Sequence, residues 1–133
     1  MPTQINRFKL AEEELNKVRP LSSLFNIISN NLLLASEILG TSYNGMVEEL
    51  ETFSLKAKKL ASDLLSGSFQ AGEDVNEKIS FLKQRMLTLV LNLNAELSKV
   101  DPNKQSDKKA LEDVILVRRL LREAHRGLIT IQD

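Results

Sequence analysis

The sequence predicts an all-α protein: an up-down antiparallel four-helix bundle with an additional short or kinked N-terminal helix. Three observations carry that expectation. The first is a heptad-spaced apolar ladder. It reads Met46, Leu50, Phe53, Ala57, Leu60 and Leu64 in one segment, and Val75, Ile79, Leu82, Met86, Leu89, Leu93, Leu97 and Val100 in another. Spacing near 3.5 residues is what long helices need to pack side by side at a shallow crossing angle. The second is that Leu carries the core, with aromatics confined to five Phe and one Tyr, which suits helices over sheets. The third is that five Gly and three Pro are too few for the turns of an all-β fold.

Residues 4–18 read as a short amphipathic helix, with Ile5, Phe8, Ala11, Leu15 and Val18 sharing a face. Pro20 removes an amide donor and restricts Arg19, so the helix is expected to end or kink there. Residues 21–39 are the most apolar stretch. Leu21, Phe25, Ile28, Leu32, Ala35 and Leu39 form its ladder, and Leu24, Ile27, Leu33, Leu34 and Ile38 fill much of the remaining circumference. Its Ser and Asn residues and Glu37 argue against a membrane span. A central helix touched on several sides fits better. Asn26, Asn30 and Asn31, like Asn92 and Asn94 further on, either fix register within an apolar seam or mark an exposed face.

Gly40-Thr41-Ser42 reads as a stop followed by capping residues. The next helix runs about 43–66 and stops near Gly67, and 67–73 reads as a loop. Asp74 and Glu77 have capping-box spacing at the start of the 75–100 segment. Asp101-Pro102 is a cap followed by a first-position Pro, so the last helix begins there or near Ser106. It continues through Leu111, Val114, Val117, Leu121, Ala124 and Leu128 to about Ile131. Helices of roughly 19 to 28 residues span about 29 to 42 Å, and short connections make neighbours antiparallel. Residues 1–133 suffice for one domain around one sizeable core.

Eighteen basic residues balance eighteen acidic ones, so wholesale electrostatic binding to nucleic acid or an anionic membrane is not implied. The absence of cysteine excludes disulfides and thiolate chemistry and is compatible with a reducing cytosol. Met1-Pro2-Thr3-Gln4 lacks a basic region followed by an apolar stretch, so no secretory signal is expected and a cytoplasmic location is. No glycine-rich phosphate loop occurs. A single His cannot supply the paired Glu-x-x-His sets of a di-iron bundle, so neither metal nor cofactor is expected.

The one concentration of potential chemistry is Arg118, Arg119, Arg122, His125 and Arg126. Arg118, Arg122 and Arg126 recur every fourth residue on one side. Clustered Arg can grip phosphate or carboxylate in forked geometry, but a solvated flank near a helix C-terminus has the same composition. His125 lies about 40° from the centre of its apolar stripe at ~100° per residue, where it reads as a half-covered boundary residue or as an imidazole for proton or phosphoryl transfer. Arg119 stands six residues before His125, a spacing that resembles the Arg-to-His motif of HEPN-type ribonucleases. The resemblance covers seven residues and implies RNA binding or cleavage by Arg119 and His125. Leu120 departs from it, because a small polar residue commonly follows the Arg there.

The sequence thus points to a non-catalytic interaction module: an adaptor, chaperone-like or assembly protein that meets a protein partner, or a second copy, through apolar helix faces. Candidate binding residues are Leu34, then Phe81, Leu87 and Leu91 as one side of the fourth segment, then Arg118, Arg122 and Arg126. The motivation is apolar surface beyond one ladder per helix. The alternatives are a HEPN-like RNA-binding or ribonuclease domain and a phosphotransfer-type signalling bundle. The ladder itself is testable by urea unfolding. Leu60→Ala and Leu93→Ala should each destabilise by about 2–5 kcal/mol, and Lys58→Ala, off the ladder, by less than about 0.5 kcal/mol.

Overall fold

Residues 7–9, 11–40, 43–70, 74–99 and 108–131 are described by a computed structural model. They form four long helices: α1 (Glu12–Leu39), α2 (Asn44–Ser66), α3 (Val75–Ser98) and α4 (Lys108–Ile129). Each ladder turns inward. Leu50, Ala57, Leu60 and Leu64 of α2 are buried, as are Val75 through Leu97 of α3 and Val114, Val117, Leu121, Ala124 and Leu128 of α4, and all join one core with Phe25, Ile28 and Leu32 of α1. Cross-helix partners show the directions. Ser22 meets Ala61 while Ser29 meets Ser54, and Lys83 meets Ile131 while Arg118 meets Asn94, so α1/α2 and α3/α4 are antiparallel hairpins. The helices form a ring in chain order, with α4 closing against α1.

The helix ends follow local chemistry. Glu12, Glu13 and Glu14 occupy the first turn of α1, where carboxylates complement the helix dipole. Asp74 caps α3, its Oδ1 accepting from the amides of Asn76 at 3.0 Å and Glu77 at 3.2 Å. Gly67 ends α2 in the left-handed region at φ 71°. The positive φ favours Gly67, and a Cβ there would also have to displace the Leu15 side chain.

One pair of alternatives is resolved and two expectations are corrected. Among the described residues the N-terminal segment from Glu12 onward is the lower half of the first helix and not a separate one: α1 runs through Pro20, with Leu15 and Val18 before it and Phe25 after it in the same core. Burial on both sides outweighs the hydrogen bond that Pro20 cannot make. Arg7–Lys9 is not helical but a strand, β1, antiparallel to β2 (Ser68–Gln70), with Phe8 opposite Phe69. Each segment sets one Phe between two polar residues, the alternation of a strand. Ser68–Gln70 is accordingly no open loop, and Phe69 is buried. The proposed loop residues 71–73, the 41–42 cap, Val100 and the alternative starts of the last helix at 101 and 106 lie outside the described residues.

The exposed reading holds for Asn26, Asn30 and Asn92; Asn31 and Asn94 are half-buried, and Asn94 accepts from Arg118 across the α3–α4 seam. The buried polar residues of the α1–α2 seam are serines. Ser22, Ser29 and Ser36 repeat at heptad spacing along α1 and are buried, as is Ser54 of α2. Ser29 Oγ donates to the Ser54 carbonyl at 2.8 Å, and Ser54 Oγ donates to the Ser29 carbonyl at 2.9 Å. Ser22 Oγ donates to the Ala61 carbonyl at 2.7 Å. With Ala57 and Ala61 opposite, this seam lets α1 and α2 approach more closely than any other pair in the ring. Replacing Ser29 with Leu should therefore destabilise by about 1–3 kcal/mol through overpacking, despite added apolar volume. Ser54→Ala should cost about 1 kcal/mol for the lost hydroxyl. Denaturant unfolding of both variants measures the difference.

Candidate functional site

The α2–α3 seam is built on the opposite principle. Phe53, Lys56, Leu60 and Asp63 of α2 face Lys78, Phe81, Leu82 and Arg85 of α3. These bulky and long side chains hold the axes apart, and α2 and α3 touch least among neighbouring helices of the ring. The result is a groove of about 220 Å³. Its floor is Leu60 and Leu82, both buried, with half-buried Phe53 beside them. Phe81 stands at the edge with 65% of its surface exposed.

Cations cover the rings on both walls. Lys56 Nζ lies 5.1 Å from the centroid of Phe53, and the Arg85 guanidinium lies 5.0 Å from that of Phe81. At the end nearest β2, Lys78 Nζ lies 6.0 Å from the centroid of Phe69. Lys59 Nζ pairs with Asp63 at 3.6 Å. The described lining of this deeper part thus sets Lys56, Lys59, Lys78 and Arg85 against Asp63 alone. An adjoining hollow shares Phe53, Phe81 and Arg85 and continues toward Glu49, Thr88 and Asn92. Together they run about 21 Å along α2 from Glu49 to Asp63, at ~1.5 Å per residue.

A second hollow, about 270 Å³, lies on the outer α3–α4 seam. Val90, Leu91 and Ile129 line it, and Arg122, His125 and Arg126 border it. The three arginines do not act as one set. Arg118 Nε donates to Asn94 Oδ1 at 3.0 Å and ties α4 to α3. Arg126 pairs with Glu123 at 3.3 Å on the surface, and Arg122 is exposed at the hollow. Arg119 is exposed and does not line the hollow that His125 borders. Six residues of helix turn the two side chains about 120° apart.

The expected single stripe of Phe81, Leu87 and Leu91 is divided. Phe81 belongs to the α2 seam, Leu91 borders the α4 seam at 54% exposure, and Leu87 is partly buried against the core. Helical rotation sets Phe81 and Leu87 about 120° apart, too far to share a flank. Leu34 is 46% exposed on α1, one heptad after exposed Ile27. The close approach of α4 to α1 at Gly127, where a Cβ would meet Leu24 at 3.2 Å, places that face beside the α1–α4 seam.

Sequence reasoning missed the groove cations. A signal existed: Lys56 and Asp63, like Lys78 and Arg85, stand seven residues apart beside ladder positions. It also missed Lys83, which is buried and whose Nζ donates to the Ile131 carbonyl at 2.5 Å, holding the end of α4. Among the described residues no three metal-ligating side chains gather, and no helix is long and apolar enough to cross a membrane. No family model, curated protein or solved structure matches this chain.

Phe25 and Phe81 separate core from groove by stability. Phe25→Ala, fully buried, should cost about 3–5 kcal/mol. Phe81→Ala should stay within about 0.5–1 kcal/mol. Thermal and denaturant unfolding provide the comparison.

Proposed function

We propose that this chain is a non-catalytic helical-bundle module that binds another helix, or a second copy of itself, through apolar surface on its outer seams. The observation that carries the reading is the placement of its exposed apolar side chains. Phe81 and Leu91 edge hollows between helices, where a neighbouring side chain can be received, and Leu34 with Ile27 forms a further exposed pair. Scattered surface Leu is ordinary in soluble proteins, whereas apolar residues gathered at concave seams suit helix-in-groove contacts. The Arg cluster supports the reading less. Arg118 serves the fold and Arg126 is paired along its own helix. An adaptor or assembly role, and a cytoplasmic setting, accord with such a module.

The test is association measured by light scattering and by titration with amphipathic helical peptides, on the wild type and on Leu34→Asp, Phe81→Asp and Leu91→Asp. At least one Asp variant should lose association with its helical circular dichroism intact, because a charge carried into an apolar interface costs several kcal/mol. A wild-type chain that neither self-associates nor binds any peptide overturns the reading. So does an association that all three substitutions leave unchanged while Arg122→Ala abolishes it.

A further inference from the structure

We propose that the α2–α3 groove is a docking site for an acidic amphipathic helix of a partner protein. The inference rests on the interaction-module reading and assigns to one seam a partner of defined chemistry.

Shape is the first argument. The combined groove is about 21 Å long, the length of a helix of about 14 residues, and its open side is edged by an exposed aromatic ring. A helix laid along it would place apolar residues at i, i+3 or i+4, and i+7 against Phe53, Leu60, Phe81 and Leu82. The α1–α2 seam offers no such room, because its serines and alanines are already in contact with the opposite helix.

Charge decides the partner. A chain of zero net charge places Lys56, Lys59, Lys78 and Arg85 around the deeper half of this groove, against Asp63. Lys59 already occupies Asp63 at 3.6 Å. Lys56 and Arg85 lie over the faces of Phe53 and Phe81, so the cationic heads border the apolar floor instead of projecting freely into water. A basic helix would meet like charge on both walls. An acidic helix would gain charge-assisted contacts on both flanks of its apolar stripe. Glu49, at the far end, favours a partner whose acidic residues lie opposite Lys56 and Arg85 and away from Glu49.

The probes are two capped synthetic peptides of about 16 residues with the same Leu/Phe stripe, one flanked by Glu and one by Lys. Dodecanoate serves as an anionic amphiphile without a helix. Titration into the full chain at low salt is followed by backbone amide NMR. The Glu peptide should bind with shifts concentrated on the facing flanks of α2 and α3. Binding should weaken about tenfold or more in Phe81→Ala, a loss typical of an interface anchor. It should also fall with rising salt. Lys56→Glu/Arg85→Glu, two exposed positions, should invert the preference toward the Lys peptide with the helical signal unchanged. Equal affinity for both peptides, groove binding by dodecanoate without the Glu peptide, or a dimer dissociated by Phe81→Ala would overturn the proposal. Peptide binding confined to the Leu34 or Leu91 seam would overturn it too, while leaving the broader interaction reading standing. Absence of association at every seam removes both.

Discussion

The reciprocal hydrogen bonding of Ser29 and Ser54 is the constraint from which the rest of the bundle follows. Small hydroxyl residues at heptad spacing let the α1 and α2 backbones approach, and the hydroxyls of Ser22, Ser29 and Ser54 are each satisfied by a carbonyl of the opposite helix. A polar seam of this kind is tolerated because its groups are partnered; unpartnered, each would cost about 1–3 kcal/mol. It also removes freedom of register. Sliding α2 by one turn would separate Ser54 from Ser29 and Ala61 from Ser22 together. With α1 and α2 fixed so closely, the large ladder side chains of Phe25, Leu32, Leu50 and Leu64 are directed toward α3 and α4, where the common core lies.

The opposite flank of α2 bears the complement of that closeness. Small residues lie toward α1, and Phe53, Lys56 and Leu60 lie toward α3. A four-helix ring built from one tight and one wide seam is asymmetric, and the wide seam opens to solvent. The same asymmetry explains why a balanced overall charge misleads. Acidic residues gather at the start of α1 and in Glu48, Glu49 and Glu51 of α2, while the deeper α2–α3 groove is bordered mainly by cations. Net charge governs behaviour beyond a Debye length; recognition within a groove depends on the local set.

The ladders of α2, α3 and α4 are legible in the sequence, since a 3.5-residue period depends only on residue spacing, and Leu50, Leu89 and Leu121 all lie where the pattern places them. Gly40, Gly67 and Asp74 likewise act as local signals. Pro20 leaves a helix end and a continued helix both open in the sequence, because its cost is local while the burial of Leu15 and Phe25 on either side is tertiary. Ser29 and Asn30 stand side by side as polar interruptions in the sequence, and only the packed α1–α2 seam selects the smaller side chain. The groove was the least legible feature. A heptad ladder tells which face is buried, but the distance between two helices depends on the sizes of residues paired across the seam. That pairing needs the register of both helices at once. Phe81, Leu87 and Leu91 were grouped by apolarity along α3, and only the positions of α2 and α4 divide them.

The short β1–β2 pair has a consequence for chain entropy. Two three-residue strands are marginal alone, and joining Phe8 to Phe69 through an unstructured intervening chain would carry a loop-closure penalty. The antiparallel α1–α2 hairpin removes most of that penalty in advance. It brings Leu15 against Gly67, so the segments before α1 and after α2 emerge side by side. The strand pair is therefore a clasp closed at high effective concentration, contingent on the hairpin and adding little constraint until it exists. Because β2 leads toward α3 and Phe69 lies beneath Lys78, β1 is tethered to the connection between the two helices that flank the wide seam.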